Sequence, residues 1–147
     1  MTNEAGAGKL SSANGMNLLV KQTRPAPRIL CVDDEPVLRE MLVLYLRRQG
    51  FEVETASDGL AAWQVISENP ASFDVVITDN QMPQMTGLEL VEKLRQSRFP
   101  GHIMFFSSTL TGQNVERLET LGVDAVVEKG RPISEFLAAL HRTLNHV

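Results

Sequence analysis

The 147 residues suit one domain with a single core that needs neither disulfides nor a structural metal, and 43% hydrophobic, 22% charged and 5% aromatic residues at a mean hydropathy of −0.09 exclude a wholly disordered, fibrous or membrane-embedded chain. Fourteen basic residues against eighteen acidic ones give a net charge of −4 and a pI of about 5.4, without the cationic excess that contacting many phosphates demands, so nucleic acid is not expected as a direct partner. The one cysteine, Cys31, excludes an intrachain disulfide and a Cys-rich zinc site and points to a reducing cytoplasm; no run approaches the ~18 apolar residues of a membrane helix.

Residues 1–27 read as a flexible N-terminal tail, rich in Gly, Ser, Asn and Pro, with one short apolar patch from Met16 to Val20. A secretory signal is not expected, since the first charge is Glu4 and no long apolar stretch follows. Gly6-Ala7-Gly8-Lys9 is a poor phosphate loop, because Leu10 stands where Ser or Thr is needed. Taking Lys9, Lys21 and Arg24 from the basic total and Glu4 from the acidic one leaves residues 28–147 with 11 and 17, net −6. The folded part is acidic.

From Arg28 onward strand and helix alternate. Ile29-Leu30-Cys31-Val32 is a continuous apolar run of the kind found in strands buried on both faces, and it stops at Asp33-Asp34-Glu35. Pro36 suits the first turn of a helix whose apolar face takes Val37, Leu38, Met41, Leu42, Leu44, Tyr45 and Leu46, ending at Gly50. Phe51 to Ala56 alternates as an edge strand does; Asp58 caps a second helix through Ala62, Val65 and Ile66 to Asn69-Pro70. Asp74 to Thr78 forms a third strand and Leu88, Leu90, Val91 and Leu94 the next helix. Ile103 to Phe106 is a fourth strand, followed by a helix with Val115, Leu118 and Leu121. Ala125 to Val127 is a fifth strand, and Ile133, Phe136, Leu137, Leu140 and Leu144 stripe the last helix. Strands alternating with helices imply right-handed crossovers and an α/β fold, here a flavodoxin-like (βα)5 doubly wound five-stranded parallel sheet in the order 2-1-3-4-5. Such sheets bind ligands beyond the C-terminal strand ends where the order reverses, between strands 1 and 3.

Asp33 and Asp34 end strand 1 and Asp79 ends strand 3, so three carboxylates converge at that point. Clustered carboxylates repel unless a positive charge offsets them. Hard oxygens without His or Cys point to Mg²⁺, with Mn²⁺ as the alternative, and Mg²⁺ commonly completes its shell with phosphate oxygens. Ser107 follows strand 4. Lys129 follows strand 5, two strand spacings or about 9–10 Å from strand 3, a gap a lysine stem can largely span. A carboxylate nucleophile, a cation site, a hydroxyl and an ammonium form the inventory for phosphoryl transfer. The residues alone do not choose the nucleophile; Asp79 is preferred because strand 3 lies between strands 1 and 4.

Asp33-Asp34, Asp79-Asn80-Gln81-Met82-Pro83-Gln84-Met85-Thr86-Gly87, Ser107 and Lys129, in this order at four strand ends, resemble the receiver domain of bacterial response regulators, and the resemblance covers residues 28–147. It implies that Asp79 is the phosphoacceptor, taking a phosphoryl group from a sensor histidine kinase or phosphotransfer protein to form an acyl phosphate. Asp34 would bind Mg²⁺ directly, Asp33 directly or through water, and the main-chain carbonyl of Gln81 would complete the protein's share. Ser107 and Lys129 would contact phosphoryl oxygens, while Gln81 and Thr109 would overhang the site and set the lifetime of the acyl phosphate. Output would pass to a downstream protein through the face of the fourth helix, fifth strand and fifth helix. The chain would be a cytoplasmic phosphoprotein with only self-catalysed phosphotransfer and autodephosphorylation.

Two positions depart from the family's pattern. Lys129 is followed by Gly130, with Pro132 two positions later, so the usual cis peptide does not carry over; Val126 stands where an aromatic is common, so the ring movement that follows the strand 4 hydroxyl is absent or replaced by backbone movement around Ser107 and Ser108. Cys31 reads as inert core, Trp63 as a half-buried helix anchor, Met82 and Met85 as packing under the loop, and His102, His141 and His146 as no metal site. The end at Val147 suggests a stand-alone switch; a receiver cut from a longer regulator is the alternative. An aspartyl phosphohydrolase would place Asp-x-Asp after strand 1 and carry a cap domain, and a flavin carrier would need a hydroxyl-rich loop where this chain has three acids.

Overall fold

A computed structural model describes residues 25–145, in which five strands alternate with five helices: β1 (Arg28–Val32), α1 (Pro36–Arg48), β2 (Glu52–Ala56), α2 (Gly59–Glu68), β3 (Val75–Thr78), α3 (Gly87–Gln96), β4 (His102–Ser107), α4 (Gly112–Thr120), β5 (Ala125–Glu128) and α5 (Ile133–Asn145). All strand pairs are parallel and the sheet order is β2-β1-β3-β4-β5, the order expected from the alternation. The tail residues 1–24, with Gly6–Lys9 and Met16–Val20, and His146 lie outside the described residues.

The apolar strand runs divide by parity, because successive side chains leave a strand on opposite faces. Leu30, Val32, Val76, Ile103 and Phe105 face one core with Ala62 and Ile66 of α2, Leu90, Val91 and Leu94 of α3 and Leu118 of α4. Ile29, Cys31, Val75, Ile77, Met104 and Phe106 face the other, with Leu42 and Leu46 of α1 and Phe136, Ala139 and Leu140 of α5. Five short runs therefore build a three-layer sandwich with β1 and β3 at its centre. Burial explains the inertness of Cys31, whose thiol is pushed from an ordinary value of 9.0 up to about 12 by desolvation and then by the Asp33 charge.

Helix ends follow local chemistry. Pro36 opens α1. Asp58 caps α2 by accepting from Ala61 N at 2.8 Å, as expected from the sequence. Thr86 and Glu89 form a capping box on α3, and Thr111 caps α4 by accepting from Asn114 N at 3.1 Å. Asn69 ends α2, and Pro70–Ser72 makes a short 3₁₀ turn. Trp63 is half-buried against the α2–α3 core, with the Lys93 ammonium 5.1 Å from its ring centre. Met82 is buried and Met85 packs on the same core.

The sequence reading needs correcting at a few places. The α1 face is narrower than the apolar residues suggest: Val37, Met41 and Leu44 remain 80%, 37% and 50% exposed, while Leu42 and Leu46 are buried. Val65 of α2 is likewise exposed, at 38%. β3 begins at Val75, one residue later than expected; the Asp74 main chain still bonds Arg28 O and His102 N, both at 2.8 Å, and its carboxylate accepts from Arg28 N at 2.7 Å. β4 and β5 each run one residue further, to Ser107 and Glu128.

Gly87 has a packing reason to be glycine: a Cβ there would collide with the main-chain carbonyl of Asp79. Gly87→Ala should cost about 1–3 kcal/mol and displace Asp79. A urea midpoint equal to the parent's would contradict this. The Cys31 thiol stays protonated in the fold well above 9.0, whereas in the unfolded chain it ionises there, so stability falls by about 1.4 kcal/mol per pH unit from pH 9.0 until about pH 12. Cys31→Val should flatten that part of the denaturation-versus-pH curve.

Candidate functional site

Strand-end hydrogen bonds decide where the acidic residues stand. Asp79 N donates to Val32 O at 3.0 Å and Asp33 N donates to Ala56 O at 3.1 Å, continuing the parallel ladder one step beyond β3 and β1. Lys129 N donates to Ser107 O at 3.0 Å, extending the β4–β5 ladder in the same direction. Asp33, Asp79 and Lys129 therefore emerge on one rim, at the reversal of strand order.

There the side chains meet. One carboxylate oxygen from each of Asp33, Asp34 and Asp79 lies within 4.8 Å of the others; Asp33 and Asp79 are buried and Asp34 is exposed. Lys129 crosses from β5 with its ammonium 6.0 Å from the Phe106 ring centre, and ends 2.7 Å from Asp33 Oδ2, 3.3 Å from Asp79 Oδ2 and 3.4 Å from Glu35 Oε1. The lysine thus spans β4 and β3 to reach the end of β1, further than strand spacing alone suggested. Burial holds the Asp33 carboxyl above its ordinary value, against the bonds from Lys129 and Glu35 N, and the Asp79 charge pushes the same way. Burial works against the Lys129 ammonium, but Asp33 and Asp79 outweigh it and raise its value. The acids are crowded and desolvated, and one cation holds them.

Asn80 anchors the loop after Asp79: its carbonyl accepts from Gly87 N at 2.9 Å and its Oδ1 from Leu88 N at 3.2 Å, while Met85 O accepts from Gly59 N at 3.2 Å. Gln81 lies exposed in this loop, two residues past Asp79. Ser107 is fully buried; its Oγ accepts from Thr109 N at 3.2 Å and lies 3.2 Å from Thr109 Oγ1. The structure thus joins Asp33, Asp34, Asp79 and Lys129 in one cluster and pairs Ser107 with Thr109 at the adjoining strand end.

Sequence reasoning missed three residues around the cluster. Glu35 approaches Lys129, Asn80 ties the loop to α3, and Arg39 Nη1 donates to the main-chain carbonyl of Asp33 at 2.6 Å. No spacing rule signals the first or last; Asn80 could have been found as an amide residue seven positions before a helix start. The histidines lie elsewhere: His102 Nδ1 is 3.2 Å from Asp124 Oδ1 at the start of β4, and His141 Nε2 is 3.3 Å from Gln49 Oε1. At the departures, half-buried Val126 packs on the core shared with α2, α3 and α4, and Gly130 takes φ +89°, a left-handed backbone that favours glycine. No cis peptide occurs among the described residues.

Residues 29–141 match the family described as the response regulator receiver domain. The transcriptional regulatory protein SrrA of Staphylococcus aureus is 33% identical over 118 residues, covering 78% of this chain and 48% of SrrA; the chain spans about half the length of the curated relatives it matches. Among solved structures, the chemotaxis protein CheY4 of Vibrio cholerae is similar with a TM-score of 0.73 at 32% identity, over 81% of this chain and 99% of that one. The receiver domain of HemR from Leptospira biflexa gives 0.77 at 28%, over 82% and 96%. With its sheet order and its acidic rim, the chain belongs to the response regulator receiver family of two-component signalling.

Proposed function

We propose that this receiver is a switch phosphorylated on Asp79 by a sensor histidine kinase or phosphotransfer protein in a bacterial cytoplasm, with output through a downstream protein. One observation carries the reading: oxygens of Asp33, Asp34 and Asp79 gather within 4.8 Å of one another while the Lys129 ammonium lies 3.3 Å from Asp79 Oδ2. Among the described residues no helix is long and apolar enough to cross a membrane, which is compatible with that setting.

The donor set fits a hard divalent cation, because it consists of carboxylate oxygens without His or Cys. Asp33, Asp34, Asp79 and the main-chain carbonyl of Gln81 would hold Mg²⁺, or Mn²⁺ in its place. When bound, that ion neutralises charge on the phosphoryl oxygens. Asp79 supplies the nucleophilic oxygen: an O–P bond forms as the P–N bond of the donor phosphohistidine breaks and the imidazole leaves. Lys129, already turned toward Asp79, pairs with a phosphoryl oxygen. Ser107 accepts from the Thr109 amide, which leaves its hydroxyl proton for another phosphoryl oxygen. Thr109 and Gln81, both exposed, flank the approach of water to the acyl phosphate.

The proposed output face is that of α4, β5 and α5, and α4 is tethered to α3. Arg95 of α3 donates to Leu121 O at 2.8 Å and Gly122 O at 2.7 Å, and Arg117 of α4 pairs with Glu92 at 3.1 Å. Val126 has no ring to swing, so in this proposal the coupling is absent or replaced by movement of the backbone around Ser107 and Ser108. Because the curated relatives are about twice as long, this function is that of the receiver.

Incubation with acetyl phosphate and Mg²⁺ should add one phosphoryl group by intact mass, and Asp79→Asn should remove the gain. Absence of any adduct with acetyl phosphate and with beryllofluoride overturns the reading. Substitutions at Gln81 or Thr109 should change the decay rate of the phosphorylated protein while leaving its formation intact. Identical decay across several side chains at both positions would refute that role.

A further inference from the structure

Asp34 differs from its two neighbours in the cluster. Asp33 is fixed on all sides: Oδ1 accepts from Glu35 N at 2.9 Å, Oδ2 from Lys129 at 2.7 Å, and its backbone is bonded at both ends. Asp79 is buried and paired with Lys129. The Asp34 carboxylate is exposed and has no hydrogen-bond partner among the described residues. Only the main chain constrains it, by setting the Cα–Cβ direction from which the carboxylate starts. The peptide that precedes it carries the Asp33 carbonyl, which takes the 2.6 Å bond from Arg39 Nη1.

Arg39 reaches this carbonyl from the end of the first turn of α1, where its own N–H donates to Glu35 O at 3.0 Å. A cation near a helix N-terminus is opposed by the helix dipole. It also stands beside a site built for a cation, where its charge works against binding. A charge-assisted bond to one carbonyl offsets both, and what that bond fixes is the plane of the Asp33–Asp34 peptide. Resting on the Mg²⁺-dependent reading above, we propose that Arg39 is a positioning residue that aims the Asp34 carboxylate into the divalent-cation site by holding the Asp33–Asp34 peptide.

Charge and position predict opposite signs. If Arg39 acts only through its charge, Arg39→Met removes a repulsion and tightens cation binding. If it positions Asp34, Arg39→Met loosens binding, by about tenfold on the scale of groups that orient metal ligands. Mn²⁺ binding to the full chain, followed by electron paramagnetic resonance without any phosphodonor, reads this directly. Arg39→Lys, which keeps the charge and one donor, should lose less than Arg39→Met. In an Asp34→Ala background, Arg39→Met should cause no further loss, since there is no carboxylate left to aim.

Tighter or unchanged Mn²⁺ binding in folded Arg39→Met and Arg39→Lys proteins overturns the inference alone. So does an undiminished loss in the Asp34→Ala background, which would mark a general effect on the fold. Failure of the parent protein to bind Mn²⁺ overturns the cation reading and this inference with it, so the two failures are told apart by the parent.

Discussion

Two buried carboxylates, Asp33 and Asp79, face one ammonium at the rim of the sheet, and the rest of the molecule is arranged around that contact. Burial pushes the Asp33 carboxyl up and the Lys129 ammonium pulls the other way, 2.7 Å from Asp33 and 3.3 Å from Asp79. The arrangement is serviceable because it is not closed. Asp34 stays exposed, and three carboxylates stand around one ammonium, so the rim keeps a net negative charge. In the proposed switch that charge would receive the cation, and the ammonium would turn to a phosphoryl oxygen.

The contact depends on topology more than on any local motif. Parallel register puts the ends of β1 and β3 side by side, and the two-faced cores fix the strands by alternating side chains between α1 and α5 on one side and α2, α3 and α4 on the other. A slip of one residue in β1 or β3 would exchange the two faces and turn the carboxylates away from each other. The glycine-tight contact between Gly87 and the Asp79 backbone adds a second constraint from the helix that follows.

Much of this was legible in the sequence, for a physical reason. Strands buried on both faces must be continuous apolar runs, so Ile29–Val32, Val75–Ile77 and Ile103–Phe106 identify themselves, and acids at their ends stand out against them. Lys129 was legible because the strand order puts it within a stem's length of β3, although its reach on to Asp33 at the end of β1 was not. What sequence could not supply depends on the direction of single bonds. Arg39 folding back on the Asp33 carbonyl, Glu35 sharing the ammonium, and the exposure of Val37, Met41 and Leu44 are of this kind. The differences at Val126 and Gly130 were visible as letters; that Val126 packs in the core and Gly130 turns with a positive φ required coordinates.

Lys129 and Asp33 are 96 positions apart along the chain, and that separation governs timing. A growing polypeptide that has emerged only through β3 already exposes every acid of the rim but lacks the ammonium that reconciles them. The cluster is complete only where β5 pairs with β4, so a chain that stops short of β5 carries the acids of the rim without their ammonium.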